Sequence, residues 1–334
     1  MRSLQTSVII PTYNRAALVC RAVESVLAAI GPDDEVIVVD DGSTDDTVER
    51  LSSFDERVRV IASPHLGAGA ARNYGIREAC KPLVAFLDSD DTWMADKLVL
   101  QRALMERRPD ILFCFSDFIS REPDGDHGRQ LHRWHHDARS WDDILGAGIP
   151  YSTISPLPQN RSDFRVHFGD LYLQEMQHDY VATFTLVVRR EEAGDALHFA
   201  EDVATFEDWE CFARLARAGP AAYLDCETAW QYGHAGPRLT NATAIDRAVS
   251  RLRILERVWG ADQAFLKQHG ERFHEVCSTY HQRVAAARLR SGQYRLARDE
   301  LRHVHASLML KLLVFLPGPF VRVALAFRDA FNDI

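Results

Sequence analysis

Short apolar runs recur along the first third of the chain and alternate with stretches whose apolar residues fall at helical spacing. The runs centre on Val8, Val36, Val58 and Val84, and a fifth follows at residues 111–115. Each run has the length of a strand and is bounded by polar or turn-forming residues. Strands that alternate with helices predict an α/β fold, in which a mostly parallel sheet is covered by helices on both faces.

Acidic residues gather where two of these strands end. One apolar run ends in Asp88, Asp90 and Asp91, and another ends in an Asp-Asp pair that includes Asp41. In open α/β sheets, ligands bind outside the carboxyl ends of the strands. A divalent ion held by one or two carboxylates and by substrate phosphates commonly compensates such crowded charge, and no lysine or arginine adjoins Asp90 in the sequence. The alternative is a solvated acidic turn, and Asp91 either caps a helix expected near Trp93 or supports the site.

Two further segments adjoin the same strands. Pro-Thr-Tyr-Asn at 11–14 stops the first strand, and Asn14 is a good N-cap for the helix that we expect to follow. Gly-Ala-Gly-Ala-Ala-Arg-Asn at 67–73 contains small residues, which allow a close backbone approach at a helix start. Its Arg72 could face a base or a diphosphate.

Four motifs in this part of the chain follow one another in a set order. They are Pro-Thr-Tyr-Asn at 11–14, Val-Asp-Asp-Gly-Ser at 39–43, Gly-Ala-Ala-Arg-Asn at 69–73 and Leu-Asp-Ser-Asp-Asp at 87–91. With them, roughly the first 235 residues resemble an inverting family 2 glycosyltransferase of bacterial type with the GT-A fold, a Rossmann-like α/β architecture. The resemblance implies a nucleotide-sugar-binding and catalytic domain over residues 1–235, followed by a helical C-terminal region over 236–334.

A later segment, Glu207-Asp208-Trp209, resembles the Glu-Asp-Trp element of the same family. The aspartate of that element acts as the base, which implies this role for Asp208. Glu207 is the second catalytic candidate, because an alignment shifted by one residue would place the base there. Apolar residues at helical spacing follow as far as Gly219, so a purely structural role of both acids at a helix N-terminus is the alternative.

The resemblance also implies a donor site with a metal ion. Asp41 is expected to accept a hydrogen bond from the nucleobase, Tyr13 to offer an aromatic face, and Asp88 to contact the ribose or a neighbouring basic group. Asp90 is the expected ligand of Mn²⁺ or Mg²⁺, and His234 is either a second ligand or an ordinary loop histidine. The residues implied in donor binding are Pro11, Tyr13, Asp41, Arg72, Asp88 and Asp90.

The implied reaction moves a sugar from a nucleotide diphosphate donor, with uridine as the default base, to a hydroxyl group. The acceptor would be a glycan or a lipid-linked molecule in cell-surface polysaccharide biosynthesis. An alcohol is a poor nucleophile until a positioned base takes its proton, a contribution of about 10²–10⁴-fold. A metal ion offsets the charge that develops on the departing diphosphate. A single displacement of this kind inverts the anomeric configuration.

Composition and charge agree with an enzyme of the cytoplasm. The 334 residues are 46% hydrophobic and 26% charged, which is enough to build a large core. The net charge of −9 argues against a nucleic-acid partner. Six cysteines without Cys-x-x-Cys spacing, and the lack of a signal-peptide pattern, predict free thiols and a cytoplasmic location.

Three regions carry less specific patterns. Residues 121–180 are predicted to form a long insertion on the acceptor side, and the histidines of 132–136 are interpreted as a surface or acceptor-contacting loop rather than a metal site. Residues 285–294 predict a helix, a turn and a second helix. Two apolar segments at 308–327 are too short to span a bilayer, so they either bind at the membrane surface or complete the core or a homodimer contact.

Two functions of other classes stay open. One is a catalytically silent module that binds a nucleotide sugar within a glycan assembly complex, although the presence of Asp90 and Asp208 disfavours it. The other is a sugar nucleotidyltransferase, although the chain lacks the lysine- and arginine-bearing glycine-rich loop expected near the N-terminus for that reaction.

Overall fold

The computed structural model describes residues 4–122, 125–135, 137–233 and 242–302. The chain divides into two compact units, one made of Met1–Glu201 with Glu207–Gly236 and the other of Asp202–Phe206 with Pro237–Ile334. The predicted membrane or dimer segment at 308–327 and the candidate ligand His234 lie outside the described residues.

The first unit is built on one mixed sheet. Its strands are β1 (Thr6–Thr12), β2 (Glu35–Asp40), β3 (Val58–Ala62), β4 (Leu83–Phe86), β5 (Thr92–Trp93), β6 (Phe113–Glu122), β7 (Gly125–Arg129), β8 (Ile149–Pro150), β9 (Arg165–Gly169), β10 (Val187–Arg189) and β11 (Ala221–Tyr232). Their spatial order is β3-β2-β1-β4-β10-β6-β11-β9-β8, with β5 paired to β11 and β7 paired to β6.

The N-terminal half of the sheet is parallel, as the alternating pattern predicts. β1 lies between β2 and β4, and β2 also pairs with β3, all in parallel register. Val8, Ile9 and Ile10 are fully buried, which explains why the strand is a continuous apolar run rather than an alternating one. β10 is antiparallel to both neighbours and joins this half to β6 and β11, which are parallel to each other. The predicted α/β fold is confirmed.

Helices connect the strands and form the second unit. They are α1 (Ala16–Ala29), α2 (Thr47–Leu51), α3 (Ala68–Glu78), α4 (Lys97–Arg107), α5 (Leu131–Trp134), α6 (Trp141–Leu145), α7 (Tyr172–Glu175), α8 (Arg190–Ala193), α9 (Glu207–Ala218), α10 (Ala244–Val258), α11 (Gln263–Arg290) and α12 (Tyr294–Arg302). Single 3-10 turns occur at Tyr151–Thr153, Thr183–Thr185 and Gly194–Ala196.

The glycines of α3 allow this helix to lie very close to its neighbours. A Cβ atom on Gly75 would lie 2.5 Å from Cγ2 of Ile9 in β1, and one on Gly69 would lie 2.5 Å from the carbonyl oxygen of Ala200. Real side-chain contacts are longer, so both positions need glycine for this packing. The predicted close approach at the start of this helix is confirmed.

Two local predictions are wrong. Asn14 does not cap α1, because it adopts a left-handed backbone conformation (φ +50°) and its amide oxygen accepts a hydrogen bond from the Thr44 N–H at 2.7 Å. Residues 183–189 have the apolar, β-branched composition that predicts a strand, but only Val187–Arg189 forms one, as β10, since Thr183–Thr185 forms a 3-10 turn. Core side chains donate to the carbonyl groups of Phe184 and Thr185, so these two groups do not join the sheet.

The second unit is helical in the part that the structure describes. The α10 N-terminus has a capping box, in which Thr243 and Asp246 exchange hydrogen bonds between side chain and backbone. The predicted helix, turn and helix near residue 290 are confirmed, with Gly292 in the left-handed conformation (φ +75°) between α11 and α12. Among the described helices, none has the length and apolar character required to cross a bilayer.

Candidate active site

The candidate site residues of the first unit lie at the edge where parallel strands end. The register pairs Thr12 of β1 with Asp40 of β2, and Ile9 of β1 with Phe86 of β4. Tyr13, Asp41 and Asp88 therefore follow neighbouring strands and leave the sheet at the same edge. This is the edge at which α/β proteins bind ligands.

Asp41 ties the end of β2 to the start of α3. Its carboxylate accepts hydrogen bonds from the hydroxyl of Ser63 at 2.8 Å and from the backbone N–H groups of Leu66 at 3.0 Å and Gly67 at 2.8 Å. Asp41 is buried. Three donors thus fix the orientation of this carboxylate, and whether it also contacts a nucleobase stays a prediction.

An exposed aromatic pair lies beside Asp41. The rings of Tyr13 and His65 are 4.2 Å apart between centroids and tilted by 37°. Tyr13 is 42% exposed, and Nδ1 of His65 lies 2.8 Å from the carbonyl oxygen of Asp41. The sequence reasoning missed His65, although its position directly before the glycine-rich helix start is a signal that could have found it. Pro11, in contrast, is buried within β1.

Arg72 of α3 is buried and joins two carboxylates that are far apart in the sequence. Its guanidinium lies 2.7 Å from Asp88 and 3.0 Å from Glu207. Burial alone would lower the pKa of Arg72, but Asp88 and Glu207 together raise it above its ordinary value. Asp88 was expected to contact either the ribose or a neighbouring basic group, and Arg72 is such a basic group. Arg72 is engaged by these carboxylates, and its contact with a donor stays a prediction.

Asp208 lies in the first turn of α9, next to this cluster. Its carboxylate accepts a hydrogen bond from the Thr183 hydroxyl at 2.9 Å and one from the Trp209 N–H at 2.9 Å. Burial, and then the charge of Glu207, raise the pKa of Asp208 to about 6. A carboxylate with this pKa is ionised at neutral pH and is a stronger base than an ordinary aspartate.

The body of α9 holds Asp208 in place. Trp209 is fully buried and its indole N–H donates to the carbonyl oxygen of Glu175 at 3.0 Å. The predicted apolar face is buried, and the N–H of Gly219 closes the helix on Leu215. Phe206, just before the helix, has a positive φ of 65°, which is unusual for a bulky residue and is typical of functional sites.

Asp90 has a cationic partner that the local sequence does not show. Nη1 of Arg15 lies 2.7 Å from its carboxylate, and Arg21 donates to its backbone carbonyl at 2.7 Å. Asp91 accepts a hydrogen bond from the Tyr232 N–H at 3.0 Å. Asp91 does not cap a helix near Trp93, because α4 begins only at Lys97.

The donor atoms around Asp90 fit a divalent ion only with help from a substrate. Within the described ranges, no group of three or more His, Cys, Asp or Glu side chains is arranged to hold an ion. The carboxylate of Asp90 is a hard oxygen ligand, suited to Mg²⁺ or Mn²⁺. Such ions are commonly held by one or two carboxylates together with substrate phosphates.

One histidine of the predicted surface or acceptor-contacting loop lies in the core. His135 is only 2% exposed, and its ring packs against Trp141 and Tyr180 at 5.4 and 4.8 Å between centroids. His132 is exposed, as expected. His135 therefore belongs to the aromatic core, which corrects the surface interpretation for this residue.

The structure defines an α/β protein whose candidate site residues follow the ends of parallel strands, with the carboxylate of Asp208 in the first turn of α9. The chain matches the model of Glycosyl transferase family 2 over residues 7–176 and belongs to that family. Among curated relatives, the succinoglycan biosynthesis protein ExoO of Rhizobium meliloti is 29% identical over 267 residues, which cover 78% of this chain and 68% of ExoO.

Two solved structures share the fold. The S. aureus TarS complex with UDP-GlcNAc has a TM-score of 0.63 at 17% identity, covering 96% of this chain and 88% of TarS. The mannosyltransferase PcManGT from Pyrobaculum calidifontis, in complex with GDP-Man and Mn²⁺, has a TM-score of 0.53 at 17% identity, covering 100% of this chain and 89% of PcManGT.

Uncharacterized glycosyltransferases of Rickettsia felis, Rickettsia conorii and Rickettsia bellii are 40–43% identical over 108 residues, or 32% of this chain. The match spans only 16–18% of their length.

Proposed function

We propose that the protein is an inverting glycosyltransferase of cell-surface polysaccharide biosynthesis. It would transfer a sugar from a nucleotide diphosphate donor, with uridine as the first base to test, to a hydroxyl of a glycan or lipid-linked acceptor. Membership in Glycosyl transferase family 2 and the name of the relative ExoO, a succinoglycan biosynthesis protein, support a role in polysaccharide biosynthesis. The observation that carries the reaction type is the environment of Asp208.

Asp208 is suited to accept a proton from an alcohol. It is half-buried, it is oriented by Thr183, and its pKa of about 6 keeps it ionised at neutral pH. Glu207, by contrast, forms an ion pair with Arg72 at 3.0 Å. A carboxylate held in an ion pair with a buried guanidinium is less available to a substrate than one that accepts hydrogen bonds from a hydroxyl and a backbone N–H. This difference favours Asp208 over Glu207 as the general base.

The strand edge is suited to hold the donor. Tyr13 and His65 offer an exposed aromatic surface beside the fixed carboxylate of Asp41, where a nucleobase could stack and donate a hydrogen bond. Asp90 would hold Mn²⁺ or Mg²⁺, which, when bound, would offset negative charge on the diphosphate leaving group. Arg15, which pairs with Asp90 at 2.7 Å, lies beside the same position and could contact a phosphate.

The arrangement supports a single displacement. Asp208 takes the proton of the acceptor hydroxyl as the oxygen attacks the anomeric carbon, and the bond to the diphosphate oxygen breaks on the opposite face. The proposal needs no covalent sugar intermediate, so the product has the inverted anomeric configuration.

The test begins with a thermal-shift screen of nucleotide sugars with and without Mn²⁺, since a ligand at 100 times its dissociation constant adds about 2.7 kcal/mol to stability. Donors that bind are then incubated with the enzyme, and free nucleoside diphosphate and pyrophosphate are measured. Slow hydrolysis to nucleoside diphosphate, lost in Asp208→Asn, is expected. Binding without any release would indicate the silent module, and pyrophosphate formation would indicate a nucleotidyltransferase.

A further inference from the structure

A lysine without an acidic partner lies in the core of the first unit. Lys97, the first residue of α4, is 0% exposed, and its ammonium donates to the side-chain oxygen of Gln101 at 2.5 Å and to the carbonyl oxygen of Thr185 at 2.8 Å. Within the part of the chain that the structure describes, no carboxylate lies within 4.0 Å of it. The ammonium also lies over the ring of Trp93, with its nitrogen 4.9 Å from the ring centroid.

Burying this ammonium opposes folding. Desolvation lowers the pKa of Lys97 to about 7. An apolar side chain of similar length, such as methionine, would fill the same volume without that cost. Lys97 therefore stabilises the core less than an apolar side chain of the same size would. The groups to which it donates hydrogen bonds indicate its role.

Those groups belong to one 3-10 turn, Thr183–Thr185. The carbonyl oxygen of Thr185 accepts from Lys97 and, at 2.8 Å, also from the side-chain amide of Gln101. The carbonyl oxygen of the preceding residue, Phe184, accepts from the indole N–H of Trp93 at 2.8 Å. Three side chains from β5 and α4 thus hold two successive carbonyl groups of the turn.

The same turn carries the side chain that contacts the proposed base. The hydroxyl of Thr183 donates to Oδ2 of Asp208 at 2.9 Å, and this hydrogen bond lowers the pKa of Asp208, against the larger effect of burial. A base must keep its position closely, because a misplacement of about 1 Å can cost roughly 10²-fold in rate. Movement of the turn would displace the hydroxyl that orients this carboxylate.

We propose that Trp93, Lys97 and Gln101 are positioning residues, which hold the Thr183–Thr185 turn by its carbonyl groups and thereby fix the Thr183 hydroxyl that orients Asp208. The catalytic meaning of this link rests on the proposed function, but the link itself is a property of the fold. It can therefore be measured without substrate.

The measurement is the titration of Asp208 by ¹³C NMR of the full chain labelled at aspartate Cγ, with the signal assigned from its loss in Asp208→Asn. Thr183→Val, which removes the hydroxyl, should raise the Asp208 pKa by about 0.5–1 pH unit. Trp93→Phe keeps an aromatic ring, although a smaller one, removes the indole N–H donor and changes no charge, and it should also raise the Asp208 pKa. Lys97→Met should do the same, so one variant suffices if the other does not fold.

The charged groups that face Asp208 are Glu207, Arg72 and Asp88, and none of these variants alters them. Once Thr183 is valine, Trp93→Phe should cause no further rise, because the hydrogen bond through which it acts is gone. Arg189→Met is the matched control. Arg189 is a buried cation that donates to backbone carbonyls, at 2.8 Å to Ile111, but not to this turn.

The proposal is overturned if Thr183→Val raises the Asp208 pKa and neither Trp93→Phe nor Lys97→Met does so. It is also overturned if Arg189→Met raises it equally, since that would indicate general loosening of the core. Release of nucleoside diphosphate is measured in parallel. A shifted titration together with full activity of Asp208→Asn would refute the proposed base and leave the positioning link intact.

Discussion

Replacing Asp208 with asparagine should remove activity and at the same time stabilise the protein. Arg72 supplies one positive charge to a cluster that contains the carboxylates of Asp88, Glu207 and Asp208. The cluster therefore carries excess negative charge when Asp208 is ionised. Asparagine has nearly the same shape and keeps one oxygen, which can accept from Thr183, so Asp208→Asn removes the charge and one of the two acceptor oxygens.

The size of the stabilisation follows from the pKa of Asp208, which burial and then Glu207 raise from 3.8 to about 6. At 1.36 kcal/mol per pH unit, ionised Asp208 costs the folded state roughly 3 kcal/mol. Because the folded-state pKa is the higher one, the unfolded chain releases its proton first, and wild-type stability falls as the pH rises from about 4 to about 6. Asp208→Asn should not lose stability in this way, because asparagine does not titrate.

The assay is urea unfolding of wild type and Asp208→Asn at pH 4 and pH 8, together with the kcat for nucleoside diphosphate release. The two proteins should be about equally stable at pH 4, and the variant should gain up to roughly 3 kcal/mol at pH 8. The kcat should fall by about 10²–10⁴ with donor affinity nearly unchanged. In the wild type, kcat should rise with pH through about 6, as Asp208 loses its proton.

Glu207→Gln is the matched control, because it changes the adjacent carboxylate. It replaces the ion pair between Glu207 and Arg72 with a hydrogen bond to a neutral acceptor and should therefore lower stability, by roughly 1–3 kcal/mol, with a smaller loss of kcat. The reasoning is refuted if Asp208→Asn is no more stable than wild type at pH 8, or if its gain is the same at pH 4. A larger kcat loss in Glu207→Gln would identify Glu207 as the base.

Excess chelator should abolish nucleoside diphosphate release, and Asp90→Ala should stay inactive when Mn²⁺ or Mg²⁺ is restored; full activity in chelator would contradict the metal proposal. Arg72→Met should lower the free energy of unfolding in urea by roughly 3–5 kcal/mol, because it leaves two carboxylates without their cation. The exposed pair of Arg59 and Glu78 is its control, and Arg59→Met should cost less than about 1 kcal/mol; equal losses would show that burial of the Arg72 pairs is unimportant. Gly69→Ala should cost roughly 1–3 kcal/mol, since its Cβ would lie 2.5 Å from the Ala200 carbonyl oxygen. Gly270→Ala, whose added Cβ would have no neighbouring atom within 4 Å outside its own helix backbone, should instead be neutral or slightly stabilising in urea unfolding of both variants, and a similar loss at both sites would contradict the packing argument.

The short-range sequence pattern was sufficient to predict the main strands and the residues at their carboxyl ends. Val8, Val36 and Val84 lie in buried parallel strands because an apolar run of this length is stable only inside a sheet covered by other elements. Parallel strands end at one edge, so Asp41 and Asp88 could be expected there without coordinates. The helix that carries Asp208 was predictable for the same reason, from the spacing of its apolar residues.

Local pattern failed where a residue had a competing partner elsewhere. Asn14 has the composition of an N-cap, but the loop after β2 uses its amide oxygen. Residues 183–185 have strand propensity, but Trp93, Lys97 and Gln101 bind the carbonyl groups of that turn. In both segments a tertiary hydrogen bond decided between two locally acceptable conformations.

The sequence by itself determined the α/β fold, the positions of the acidic strand ends and the family, because all three depend on neighbours within a few residues or on motif order. Only the tertiary structure decided which charges meet. Arg72 finds Asp88 across 16 positions and Glu207 across 135, and Thr183 finds Asp208 across 25. Packing brings such pairs together. Burial raises the pKa of Asp208, whereas Glu207 is held in an ion pair with Arg72, so the distinction between the two carboxylates arises only in the folded chain.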